Sequence, residues 1–165
     1  MKTFLIHFGQ LLYKYRAVTA VPFFIILVIL SRNASFNFIP HLLLFLGLLI
    51  RIWAAGYIGV KARANRFATG YVITSGPYRY LKHPLYIGNL FLVLGVILLF
   101  NPPLWYAFSL LLIFTVEYFI IVYSELSYLK ALPKKVVNFD LANARGEANT
   151  IIIVIVIALI RHFLR

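Results

Sequence analysis

The chain has 165 residues, of which 63% are hydrophobic, 17% aromatic and only 12% charged, with a mean hydropathy of +0.93. A soluble domain of this length has no use for that much apolar surface, so the composition excludes an ordinary globular protein and leaves one membrane domain spanning 1–165. The formal charge of +12 elsewhere suggests nucleic acid. Here the basic residues lie between apolar runs, where they set orientation and meet anionic lipid head groups, and no nucleic-acid partner is expected. Cysteine is absent, which removes disulfides, thiolate metal sites and a cysteine nucleophile, and no metal site is expected.

Each crossing of a hydrocarbon core about 30 Å thick takes roughly 20 apolar residues, which predicts an all-α fold: a polytopic transmembrane helical bundle of about five membrane helices behind an N-terminal interfacial segment. That segment, MKTFLIHFGQLLYKYR, is amphipathic, and Lys14 and Arg16 interrupt it before any small-residue cleavage site. The first span is expected over 17–30 with Pro22 near its start, and the polar stretch 31–40 forms the turn. A second span covers 41–60 and is apolar apart from Arg51; a basic segment, 61–83, follows. The third span begins at Pro84 and runs to Phe100, and Asn101-Pro102-Pro103 folds it into a hairpin with the fourth, 104–123, which carries Glu117. A polar stretch, 124–149, precedes a last apolar run over 150–163, short for a crossing.

Lysine and arginine mark the sides. Lys2, Lys14, Arg16, Lys61, Arg63, Arg66, Arg79, Lys82, Lys130, Lys134, Lys135 and Arg145 fall on one face, and Arg32, Arg161 and Arg165 on the other. The excess places the N-terminus and both long loops in the cytoplasm. The four acids, Glu117, Glu125, Asp140 and Glu147, all lie in the last third, whereas the basic loop before the third span has none. A zwitterionic ligand fits between two such segments.

The loop TSGPYRYLKHPLYIGN, 74–89, carries the densest chemistry. Gly76-Pro77 fixes a turn, Tyr78 and Tyr80 alternate with Arg79 and Lys82, and His83 stands at a helix entrance opened by Pro84. Gly88 lets another group approach the backbone. From the residues alone, a ligand loop and an interfacial loop with belt tyrosines both fit. Arg51 and Glu117 are charges inside apolar runs, which cost energy unless partnered. Arg51 neutralises an anionic lipid, pairs with Glu117, or snorkels to the interface.

GPYRYLKHPLYIG resembles the G-P-Y-x-x-x-R-H-P-x-Y-x-G signature of the isoprenylcysteine carboxyl methyltransferase and phospholipid methyltransferase superfamily, with Gly76, Pro77, Tyr78, His83, Pro84, Tyr86 and Gly88 in register and Lys82 in place of Arg. RIWAAGYIG from Arg51 is similar to a stretch that precedes this loop in bacterial members, which implies a prokaryotic inner membrane. The resemblance covers 51–100. Further on, Glu125 takes the first place of the family's Glu-Glu pair and Leu126 the second, the Phe-Gly and tyrosine segment is missing, and NARGEANT supplies Arg145 and Glu147 as matching charges.

The resemblance implies an integral-membrane methyltransferase that uses S-adenosylmethionine and acts on an amphiphilic, lipid-like acceptor, either a prenylated carboxylate or a phospholipid amine. It implies Glu125 against the ribose or amino group of the cofactor and His83 and the Pro84 helix start toward its carboxylate or adenine side. Tyr78 and Tyr86 pack on it, Gly88, Arg145 and Glu147 complete the pocket, and Arg51 and Glu117 are the catalytic candidates. His83 has a second reading as a lipid head-group contact. Two other readings of the chain stay open. One is an NADPH-dependent sterol-type reductase, although Leu85 and Asn89 depart from the His-Pro-Asn-Tyr loop of that class. The other is a non-catalytic membrane protein of the same fold.

Overall fold

The computed structural model describes residues 2–32, 37–59, 70–129 and 132–163, with the backbone alone for 2–6 and 127–128. Among these residues the fold is all-α, built on five long helices. They are α1 (Lys2–Ile29), α2 (Phe38–Ile58), α3 (Pro84–Phe100), α4 (Leu104–Leu129) and α6 (Ala148–Phe163), with a short α5 (Leu141–Arg145) leading into the last. Four segments, His7–Ile29, Phe38–Ile58, Leu104–Leu126 and Leu141–Phe163, are long and apolar enough to cross a membrane, and α3 is a shorter apolar helix between them. This is a multi-pass membrane protein. Its outer surface carries large apolar side chains, with Val18 67%, Phe108 67% and Phe119 71% exposed. Such an exterior suits lipid, because within the helices the backbone groups bond one another and need no water.

The N-terminal segment is continuous with the first span. It is the first half of α1, because nothing between Lys2 and Val21 breaks a helix, and Pro22 lies in the helix interior rather than its first turn. The last span gains length on its N-terminal side. Asp140 caps α5 by accepting a hydrogen bond from the Ala142 amide at 2.8 Å, and the Glu147 amide bonds back to Ala144 at 2.9 Å, so the run 150–163 is extended to 141. The fourth helix also continues past Tyr123 and carries Ser124 and Glu125 into the bundle.

The helices pair α2 with α3 and α1 with α4, while the sequence-adjacent α3 and α4 touch only sparsely. Both tight pairs are antiparallel and rest on glycine. In the first, a Cβ on Gly47 would lie 2.9 Å from the Gly88 carbonyl oxygen, and one on Gly88 would lie 3.0 Å from that of Gly47. In the second, Gly9 backs onto Ser124 while the Tyr106 hydroxyl bonds the Phe23 carbonyl at 2.7 Å. Small residues let backbones approach, and dispersion then replaces the hydrophobic driving force that lipid cannot supply. At the end remote from the N-terminus, Leu27, Leu44, Leu99, Phe100, Tyr106 and Val154 form the apolar core.

At the opposite end the two long loops are joined. Val72–Ile73 (β1) pairs in parallel with Lys134–Lys135 (β2), and the Ser75 hydroxyl both receives the Val137 amide at 2.9 Å and donates to its carbonyl at 2.6 Å. Sequence periodicity gave no hint of this two-residue ladder. It holds the loop before α3 beside the loop after α4, as the charge pattern required. Lys61, Arg63, Arg66, Lys130 and Arg165 of that pattern lie outside the described residues.

Candidate functional site

The site grows from the start of α3. Gly76 adopts φ +57°, a left-handed conformation, and a Cβ there would strike the Tyr57 ring at 2.4 Å, so the turn into the 3-10 segment Gly76–Arg79 requires glycine. Pro84 opens α3 with its fixed φ and is itself buried. His83, the residue before it, is thereby held against the inner face of α4.

On α4, Glu125 is 1% exposed. Its Oε2 accepts a hydrogen bond from the Tyr86 hydroxyl at 2.8 Å and lies 3.3 Å from His83 Nδ1, within ion-pair distance though off the hydrogen-bond direction. The His83 and Tyr86 rings stack at 5.4 Å with an angle of 6° between planes. Among the described residues, His83 Nε2 is buried and has no hydrogen-bond partner. Forty-two positions apart in the chain, His83 and Glu125 thus share one polar pocket, walled by Tyr86 and, edge-on to it at 5.0 Å, by Tyr118.

Tyr118 continues the network. Its hydroxyl accepts from Asn89 Nδ2 at 2.5 Å, and Asn89 Oδ1 accepts from Arg51 Nη1. Arg51 binds Glu147 Oε2 through Nε at 2.8 Å and Nη2 at 2.7 Å, and Nη2 also reaches the Thr150 hydroxyl at 3.3 Å. Glu147 is 1% exposed and stands at the N-terminus of α6, where the helix dipole favours an anion. One line of polar contacts therefore runs from the C-terminal span through α2 and α3 to the aromatic wall beside Glu125.

Of the three readings of Arg51, the pairing with Glu117 is replaced by one with Glu147, for a packing reason: α6 lies across α2 and α3, whereas α4 packs on α1. Glu117 instead lies within electrostatic range of Arg16. The structure separates the remaining candidates. Tyr78 is buried in an apolar cluster with Ala54, Ile58, Ile73 and Leu85. Gly88 admits the Gly47 backbone and the Arg51 stem. Arg145 is exposed on the last turn of α5, although Glu147 two residues on is buried. Ala54 and Ala55 are fully buried, and a Cβ on Gly56 would strike the Phe139 ring of the loop. Asn89, Tyr118 and Thr150 belong to the network and had no ligand-like signal of their own; the clue was Arg51, whose charge inside an apolar run required partners at its level.

Residues 36–132 match the phospholipid methyltransferase family. That segment contains Arg51, His83, Tyr86, Asn89, Glu117, Tyr118 and Glu125, whereas Glu147 and Arg16 lie outside it. Phosphatidylethanolamine N-methyltransferase B of Dictyostelium discoideum is 30% identical over 73 residues, 42% of this chain and 36% of that protein. The chain thus spans about a third of the length of this curated relative. No solved structure matches. The family match extends over more than half of the residues and includes the whole His83, Tyr86 and Glu125 pocket, so the chain belongs to the phospholipid methyltransferase family.

Proposed function

We propose that the protein is an integral-membrane enzyme that methylates the amine of a phospholipid with S-adenosylmethionine, its pocket opening at the cytoplasmic face. The observation that carries this reading is the buried Glu125 carboxylate, held by Tyr86 and beside His83, inside the segment that matches the family. The polar groups suit the cofactor. A carboxylate accepts from ribose hydroxyls or an α-amino group, and the buried His83 Nε2 is the kind of atom a bound polar ligand satisfies. When bound, S-adenosylmethionine supplies a methyl group already activated on a positively charged sulfur.

Little covalent help is then required of the protein, whose work is alignment and exclusion of water. Tyr86 fixes the Glu125 carboxylate, the stacked imidazole is held by Pro84, and Tyr118, anchored through Asn89 to Arg51, supports the aromatic wall. Arg51 on this reading is a positioning residue rather than one that touches the substrate. The cytoplasmic placement rests on Arg79, Lys82, Lys134 and Lys135, in the two loops at the end of the bundle that carries the pocket.

The test is transfer of radiolabelled methyl groups by the purified protein in nanodiscs containing phosphatidylethanolamine, with an isoprenylcysteine analogue offered in parallel. Label in the phospholipid fraction is expected. Label only in the prenylated acceptor, or in neither, would refute the substrate assignment.

A further inference from the structure

Two charges inside the spans are not absorbed by the network around Arg51. Arg16 lies on α1 and Glu117 on α4, and the antiparallel register that sets Gly9 against Ser124 brings the two to the same level. Elsewhere the buried charges have protein partners: Arg51 holds Glu147, and Arg161 donates from Nε to the Leu99 carbonyl and from Nη2 to that of Arg32, both at 2.9 Å. Arg16 meets the Tyr13 side chain, yet its Nη1, like Glu117 Oε1, is a buried atom without a hydrogen-bond partner among the described residues. Unsatisfied charged atoms at membrane depth cost several kcal/mol, and such residues mark a pathway or a ligand.

The surroundings define that ligand. The Arg16 guanidinium lies over the Tyr13 ring at 4.1 Å from its centroid and within electrostatic range of Tyr86 and Tyr118, so it borders the pocket at Glu125. Glu117 is half-buried, and its neighbours Val116 and Phe119 are 50% and 71% exposed on the lipid-facing side of α4. A molecule whose polar head lies between α1 and α4 can therefore keep its tails in the bilayer. The head must offer an anionic oxygen to Arg16 and an N–H donor to Glu117.

We infer that Arg16 and Glu117 form the head-group site for a zwitterionic, amine-bearing glycerophospholipid, with its phosphodiester on Arg16 and its ammonium on Glu117. Guanidinium suits phosphate because its planar fork donates to two oxygens at once. The carboxylate also offers a place for the proton that an ammonium must lose before its nitrogen can act as a nucleophile. The inference rests on the phospholipid methyltransferase reading and supplies the acceptor's place within it.

The experiment measures binding of dioctanoyl phosphatidylethanolamine and dioctanoyl phosphatidylglycerol to the purified protein in detergent, alongside S-adenosylmethionine. The wild type is expected to prefer the ethanolamine lipid. Glu117→Gln should weaken that lipid about ten- to a hundredfold and leave the glycerol lipid unchanged, whereas Arg16→Gln should weaken both, since a charge-assisted contact is lost in each case. Equal wild-type affinity for the two lipids, which needs no folded variant to establish, would overturn the site, as would unaltered binding by Glu117→Gln. Ethanolamine-lipid binding that depends on Glu117 in a protein with no affinity for S-adenosylmethionine would leave the site standing and refute the methyltransferase reading.

Discussion

Arg51 and Glu147 lie 96 positions apart and are joined by two guanidinium contacts of 2.7 and 2.8 Å to a single carboxylate oxygen. The pair fastens the C-terminal span, which lies beyond the family match, to the helices that carry the pocket. Removing one partner strands the other charge in a low-dielectric setting. Arg51→Met or Glu147→Gln alone is therefore expected to cost about 3–5 kcal/mol of stability, and the double substitution less than the sum. Unfolding in mixed micelles measures this, and strictly additive losses would show that the two residues do not act as a pair.

Gly88 and Gly47 set how closely α2 and α3 approach. Gly88→Ala places a Cβ 2.6 Å from Arg51 Cγ and 3.0 Å from the Gly47 carbonyl oxygen. The helices must separate or the arginine must move, at an expected cost of about 1–3 kcal/mol. Gly70→Ala, which meets nothing within 4 Å, is the control in the same unfolding assay. Equal effects of the two would contradict the close-packing account.

Ser75 ties the loop before α3 to the loop after α4 through both polar groups of Val137. Ser75→Ala leaves the Val137 amide without its partner and is expected to cost about 1–3 kcal/mol locally. Hydrogen exchange should rise at Val137 and Thr74 and leave the middle of α2 unchanged. Unaltered protection at Val137 would show that the strand pair holds the loops without Ser75.

The punctuation of the chain was easier to read than its partnerships. Pro84 and Asn101-Pro102-Pro103 bounded α3 correctly because proline and a left-handed Asn101 act locally. Arg16 reads as the edge of the first span, since a charge in sequence does not reveal that a tyrosine ring lies beneath its guanidinium and that Glu117 of α4 is within electrostatic range. For the same reason Arg51 calls for a partner without revealing which acid the packing supplies. The one partner expected for it is Glu117, the other charge inside an apolar run, whereas helix packing places Glu147 within reach. The His83 and Glu125 association followed from the chain path and the family signature together, while Asn89 and Tyr118 became visible only in the few contacts that α3 and α4 make at this level.

Because the natural chain has no cysteine, single cysteines report topology cleanly. Cysteine at position 138, in the loop beside the pocket, and at position 101, at the far end of α3, should label from opposite sides of sealed vesicles, with position 138 facing the cytoplasm. Position 68 lies outside the described residues and is expected on the same side as 138. Labelling of 101 and 138 from one side would break the five-helix path.

The central claim is that Glu125 and His83 hold S-adenosylmethionine together, and calorimetric titration of the cofactor into folded wild type and variants tests it most directly. Glu125→Gln and His83→Ala are each expected to weaken binding by about 1–3 kcal/mol, and Lys14→Ala, an exposed change on α1, to leave it unchanged. Wild-type binding with undiminished affinity in Glu125→Gln would contradict the account.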